Sequence, residues 1–305
     1  MTNSRPAMKR PYLATLALLG VTAAWGAAFV VMKPAIEKQP FYDFLATRFT
    51  IAALVMIAVR PSVLRQLTPR LLATGLPLGA ILGLGYVTQT LALELTTAAI
   101  TGFLTGLYVV LTPLLAWVFL KNKLSVKVLA GVVLATGGLA LISITDVGIQ
   151  PGHVFGIMCA LLYALHIVGL GKFSARFEAY PLTVVQLIAV AAVSWVGALA
   201  DGYQAPQSGD VWFAVVFTAV FATAIAFFAQ TWAQARMDAS RVAIILTAEV
   251  VFAAGIAVGV GQETLTLQTT IGGLLMVAAM LLVEWPSRKG GSAAAEVIAA
   301  DPLTH

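Results

Sequence analysis

Two ionisable side chains stand deep inside long apolar runs of this sequence: Arg48, within Leu45-Ala46-Thr47-Arg48-Phe49, and Glu249, within Ala248-Glu249-Val250-Val251. A charge at the centre of a membrane helix costs about 2.5–3.5 kcal/mol to insert, and it is normally tolerated only beside a cavity or a partner. A carboxylate so placed can meet an amino group, carry a coupling proton or, protonated, donate a structural hydrogen bond to a neighbouring helix. A guanidinium so placed can attract a carboxylate, reach outward to the interface or cap a carbonyl.

Aromatic residues with one polar handle are spread among the same runs: Trp25, Tyr86, Tyr108 and Tyr163, with His166 beside the last. Such rings suit amphipathic ligands, and packing alone is the competing explanation for each. An unperturbed histidine titrates near neutral pH. Pro113 cannot donate to the carbonyl of Val109, and Pro77 cannot donate to that of Ala73. An acceptor freed in lipid must find a partner or face a cavity, so both prolines are candidate bends or gates. Gln89 and Gln230 are candidate gate or cap residues. The pairs Gly79/Gly83, Gly102/Gly106 and Gly255/Gly259 have the small-xxx-small spacing that permits close helix packing. No clustered His, Asp or Ser set, metal-ligand spacing or nucleotide-binding loop accompanies them, so no catalytic residue, metal or cofactor is expected and the chain is not read as an enzyme. Cys159 is the single cysteine, which excludes an intrachain disulfide.

What must position these residues follows from composition. The 305 residues are 60% hydrophobic and only 10% charged, with a mean hydropathy of +0.94. A soluble domain carries about 25% charge, and disorder demands low hydrophobicity. A lipid bilayer is the solvent that fits. The net charge of +5 is scattered between apolar runs rather than gathered on one face, which argues against nucleic acid as a partner. Ten runs approach the roughly 20 apolar residues a membrane helix needs: 11–32, 42–60, 70–93, 97–120, 126–144, 152–171, 182–200, 211–233, 240–260 and 267–285.

Fifteen of the 18 basic residues fall on one side of this arrangement: Arg5, Lys9, Arg10, Arg60, Arg65, Arg70, Lys121, Lys123, Lys127, Lys172, Arg176, Arg236, Arg241, Arg288 and Lys289. Lys33 and Lys38 fall on the other. Cytoplasmic loops carry such an excess, so both termini are expected in the cytoplasm, with 286–305 a disordered tail. Trp117, Trp212, Trp232 and Trp285 stand at run ends, where indoles favour the interface.

Shifted by 141 residues, the chain partly matches itself without gaps. Gln89-Thr90 falls on Gln230-Thr231, Val109-Val110 on Val250-Val251, Leu124 on Leu265 and Gly131 on Gly272. The same shift sets Tyr108 on Glu249. Five runs per copy is an odd number, so the second copy enters the membrane upside down. The expected fold is all-α and integral to the membrane: ten transmembrane helices in two inverted five-helix repeats, 11–145 and 152–285. Inverted repeats are the architecture of many secondary transporters.

At this point the sequence resembles the ten-helix EamA-type branch of the drug/metabolite transporter superfamily. The residues that carry the resemblance are Ala24-Trp25-Gly26, Arg48 in its Leu-Ala-Thr-Arg-Phe setting, Thr112-Pro113-Leu114, Gly131, Gly272 and Glu263 before Leu265. Two positions depart from the pattern: Asn122 stands where a first-half Glu is common, and Ala254 stands opposite Pro113. Within the branch the chain is most similar to YddG-type exporters of aromatic and other amino acids. The resemblance implies a basket of helices around a central cavity, export of small amphipathic metabolites across the inner membrane and, for Arg48, a structural role. The reading is a secondary transporter moving amino acids or related metabolites by alternating access, monomeric or otherwise, with protons as a candidate coupling ion. A proton-coupled multidrug exporter is the alternative, with a channel or a membrane-embedded enzyme further off.

Overall fold

Backbone groups in lipid must bond within their own segment, which leaves helices as the solution for runs of this composition. The structure, a computed structural model, describes residues 12–95, 101, 104–121, 124–143, 151–200, 202–261 and 266–284. Arg5, Lys9, Arg10, Gly102, Asn122, Lys123, Glu263, Leu265, Trp285 and the tail 286–305 lie outside the described residues. Among the described residues every regular element is helical: α1 (Tyr12–Ile36), α2 (Phe41–Val59), α3 (Pro69–Leu95), α4 (Tyr108–Leu120), α5 (Val126–Ser143), α6 (Pro151–Phe173), α7 (Ala179–Ala200), α8 (Gly209–Ala219), α9 (Ala226–Gln234), α10 (Ala239–Leu246), α11 (Ala248–Gly259) and α12 (Leu267–Glu284). A π-helical segment, Val220–Ile225, joins α8 to α9. Among the described residues seven helices are long and apolar enough to cross a membrane, and three further apolar helices, Leu104–Leu120, Val126–Leu141 and Thr270–Val283, are shorter.

Start signals are legible. Pro69 and Pro151 open α3 and α6, where the missing N–H has no intrahelical partner to lose. Lys121 closes α4 in the left-handed conformation, its amide donating to the Ala116 carbonyl.

The helices pack in a pattern that crosses the middle of the chain. α1 lies against α8, α9, α10 and α11; α3 against α6 and α7; α2 against α7 and α8; α4 against α6 and α10; α5 against α12. The α5–α12 seam is antiparallel and very close. A Cβ on Gly138 would stand 2.5 Å from the Gly272 carbonyl oxygen, and one on Gly131 would stand 2.6 Å from Val283 and 3.5 Å from the Ala279 carbonyl. The seam between α2 and α7 is also antiparallel. The Tyr42 ring lies against Gly197, while the Tyr180 hydroxyl donates to the Met56 carbonyl at 2.6 Å.

Polar bonds stitch both ends of that seam. At one end Lys38 pairs with Asp210, Asp43 accepts from the Gln204 amide at 3.0 Å, and Thr47 and Tyr203 share a hydrogen bond of 2.9 Å. At the other end Arg60 pairs with Glu178 at 3.5 Å.

Candidate functional site

Two helices in the middle of the bundle are interrupted by a tight turn. The Val110 amide donates to Leu107 at 3.0 Å, and the Val250 amide to Thr247 at 3.2 Å. Tyr108 is the first residue after one interruption and Glu249 the second after the other. Glu249 therefore sits in the first turn of α11, directly after the turn at Thr247. Gly26 brings α1 against this turn: a Cβ there would lie 2.7 Å from the Ala253 nitrogen and 3.0 Å from the Glu249 carbonyl oxygen. That contact accounts for glycine beside Trp25.

The Glu249 side chain points inward. The groups that act on it electrostatically or feel it are Arg48 of α2, Tyr86 of α3, Tyr108 of α4, and Cys159 and Tyr163 of α6. It is nevertheless partly exposed. A group surrounded on all sides yet reachable by solvent borders an internal space. Among the described residues nothing donates a hydrogen bond to its carboxylate, and no ion pair reaches it.

The rings next to it form a connected set. Tyr86 stands edge-on to Phe49 at 5.0 Å, to Tyr163 at 5.9 Å and to Phe227 at 6.4 Å. Tyr163 stands 6.5 Å from Tyr108, and Trp25 is 5.5 Å from Phe227. The Tyr163 hydroxyl donates to Gln89 Oε1 at 3.1 Å. Trp25, Tyr86, Tyr163 and Gln89 keep partial exposure, as Glu249 does.

Arg48 is different. It is only 3% exposed, and its donors are engaged: Nε with Thr223 Oγ1 at 2.8 Å, Nη2 with the Ala222 carbonyl at 3.5 Å and Nη1 with Met32 Sδ at 3.7 Å. Its guanidinium lies over the rings of Phe49 and Tyr86 at 5.3 and 5.6 Å. The Trp25 indole also donates to the Ala222 carbonyl, at 2.8 Å. Both side chains thus hold the π-helical segment, whose wider winding disturbs the regular helical ladder; such segments are frequent at functional sites.

Three sequence candidates lie apart from this group. His166 is buried and bonded through Nε2 to Gln186 Oε1 at 2.8 Å, between α6 and α7. Gln230 is buried with its amide on Gln234 Oε1 at 2.9 Å, and its own Oε1 has no partner among the described residues. Pro113 is packed inside α4, next to a Thr112 hydroxyl that also lacks one. The structure adds Phe49, Phe227, Thr223 and Ala222 to the site. Phe49 and Phe227 have no polar handle, and the run Ala219-Val-Phe-Ala-Thr-Ala-Ile-Ala226 carries no local sign of its winding. Among the described residues no group of three His, Cys, Asp or Glu side chains could hold a metal.

A model of the EamA-like transporter family matches twice, over residues 12–144 and 150–285. The chain belongs to that family. This EamA-like protein is 31% identical over 276 residues to an uncharacterized transporter of Archaeoglobus fulgidus, an alignment covering 90% of this chain and 87% of the relative. It shares its fold with a protein of known crystal structure at a TM-score of 0.77 and 22% identity, covering 89% of this chain and 96% of the other. It is a multi-pass membrane protein of a family that transports small molecules.

Proposed function

We propose that this EamA-like transporter exports amino acids, aromatic ones among them, or related small metabolites across the inner membrane by alternating access, as the YddG-type exporters it resembles. The observation that carries the reading is the Glu249 carboxylate. Among the described residues it has no hydrogen-bonding partner, it borders an internal space, and aromatic rings flank it. A charge left without a partner in a bundle this apolar calls for one from the transported molecule or from a proton.

Alternating access rests on two inverted five-helix repeats, 11–145 and 152–285, with both termini cytoplasmic. The seam contacts support this arrangement. Gly131 meets Ala279 and Gly138 meets Gly272; adding 141 to the first pair's α5 residue gives 272, and to the second's gives 279. Each contact is the other with the halves exchanged, as a two-fold axis in the membrane plane requires. Helix pairing has the same property: α1 on α10 and α11 answers α6 on α4, and α3 on α7 answers α2 on α8. Such paired interruptions as those before Tyr108 and Glu249 are where transporters of this design place their sites. The double family match fits the same division.

The test is counterflow in proteoliposomes loaded with a panel of labelled amino acids, with and without a proton gradient. Saturable exchange of an amino acid is the expected result; flux without exchange would favour a channel and end the reading. A proton-coupled multidrug exporter is the second reading, favoured by the same unpartnered carboxylate. It requires the gradient to drive uptake of apolar cations with no amino acid exchanged.

A further inference from the structure

A free amino acid brings two charges to its binding site, an ammonium and a carboxylate. The space beside Glu249 answers only one of them. Glu249 is a carboxyl group with no hydrogen-bond partner among the described residues, and the faces of aromatic rings such as Trp25, Tyr86, Tyr108 and Tyr163 are electron-rich and attract cations. Together they form an environment for an ammonium.

The natural candidate for the carboxylate is Arg48, the positive charge that acts on Glu249. Its geometry withdraws it. At 3% exposure the guanidinium offers no surface for an incoming anion. Each of its three nitrogens has a contact, to Thr223, the Ala222 carbonyl or Met32, and its Cζ lies over the Phe49 and Tyr86 rings at 5.3 and 5.6 Å. To bind a substrate carboxylate it would have to release the π-helical segment. Beside the neutral Tyr86 and Tyr108 hydroxyls, the polar side chain on the ring set is Gln89. Its carbonyl oxygen is taken by the Tyr163 hydroxyl, leaving neutral amide N–H groups that suit a carbonyl or hydroxyl as well as an anion. A carboxylate carried in beside Glu249 would lose its hydration with Arg48, the cation that acts on Glu249, already bonded to the fold, which is unfavourable.

We infer that the site recognises a primary ammonium on an aromatic body, and that a free carboxylate on the same molecule adds nothing to binding. The substrate class is the arylalkylamines, with aromatic amino acids and their esters accepted through the amine. This inference deepens the export reading and rests on it.

Four molecules with one ring separate the charges: tyrosine with both, tyramine with the amine alone, tyrosine methyl ester with the amine and a masked acid, and hydroxyphenylpropionate with the acid alone. Proteoliposomes of the full chain are loaded with each in turn and assayed for exchange of labelled tyramine and of labelled tyrosine. Protein-free liposomes subtract passive leak of the neutral amines. Tyramine and the ester are expected to exchange at least as well as tyrosine, and hydroxyphenylpropionate not at all. The lost ammonium contact is worth about tenfold or more. Tyramine weaker than tyrosine by about tenfold would show that the acid is read and overturn the inference, leaving amino acid export intact. Exchange of hydroxyphenylpropionate would overturn it too. Exchange of tyramine without tyrosine would uphold the inference and remove amino acids from the proposed cargo. Exchange of none of the four would overturn the inference along with export of aromatic amino acids.

Discussion

Arg48 and Glu249 are the two acid/base residues in the middle of this bundle, and the structure treats them in opposite ways. Around Arg48 the polar atoms are used: nitrogens bonded to Thr223, Ala222 and Met32, the charge set over the Phe49 and Tyr86 rings, and the same Ala222 carbonyl secured by Trp25. Around Glu249, among the described residues, the polar capacity is left over. A charge whose bonds are complete within the fold contributes to its shape. A charge whose bonds are incomplete, in a place water can reach, is available to something that comes and goes. Position in the sequence does not separate these roles, because both residues sit in apolar helices; the inventory of partners does.

Four substitutions can break or sharpen that contrast. Glu249→Gln should cut counterflow by about tenfold or more, since a charge-assisted contact is lost, while the midpoint of thermal unfolding in detergent stays near that of the parent; an unchanged flux would erase the functional side of the contrast. Arg48→Gln should do the reverse. Unfolding in mixed micelles should register a loss of about 2–3 kcal/mol as buried partners lose their donor, with any drop in flux following the drop in folded protein. Gly26→Ala comes next. Its Cβ meets the backbone of α11 at 2.7 Å, and such overpacking costs about 1–3 kcal/mol; because α1 is pushed off the turn carrying Glu249, flux per folded molecule should fall as well. Trp25→Phe should have the smallest effect, about 1 kcal/mol for one hydrogen bond to a carbonyl that Arg48 also reaches. A larger loss would mean that the indole, not the guanidinium, is the main hold on Ala222.

Much of this site is legible in the residues themselves. Glu249 stands out because a carboxylate in an apolar run is expensive; the 141-residue shift sets it on Tyr108, whereas the two tight turns, at Leu107 and Thr247, stand 140 residues apart and set Tyr108 on Ala248. Trp25, Tyr86 and Tyr163 announce themselves by combining a ring with a polar tip. His166 has the same signature, yet its ring is spent on Gln186; a one-dimensional pattern does not tell a residue facing the interior space from one facing the next helix. A single ungapped shift is also too rigid a description. It suits α5 and α12, but in the α2–α7 seam Tyr42 and Tyr180 play matching parts with 180 − 42 = 138 residues between them, as connections of unequal length would produce. Nor does any residue type mark the π-helical segment, because Ala, Val, Phe and Ile are as much at home in one winding as another.

That segment has a consequence for comparing this chain with its relatives. Each residue added to an ordinary helix turns everything after it by about 100°, so a single deletion between two packed ends would face Phe227 and Gln230 toward lipid. Within Val220–Ile225 the wider winding already absorbs one residue, and removing it there would return the helix to regular pitch with its far end still facing the same neighbours. A one-residue gap at this place in an aligned relative is therefore a change of pitch, and it would arrive together with a different occupant of position 48.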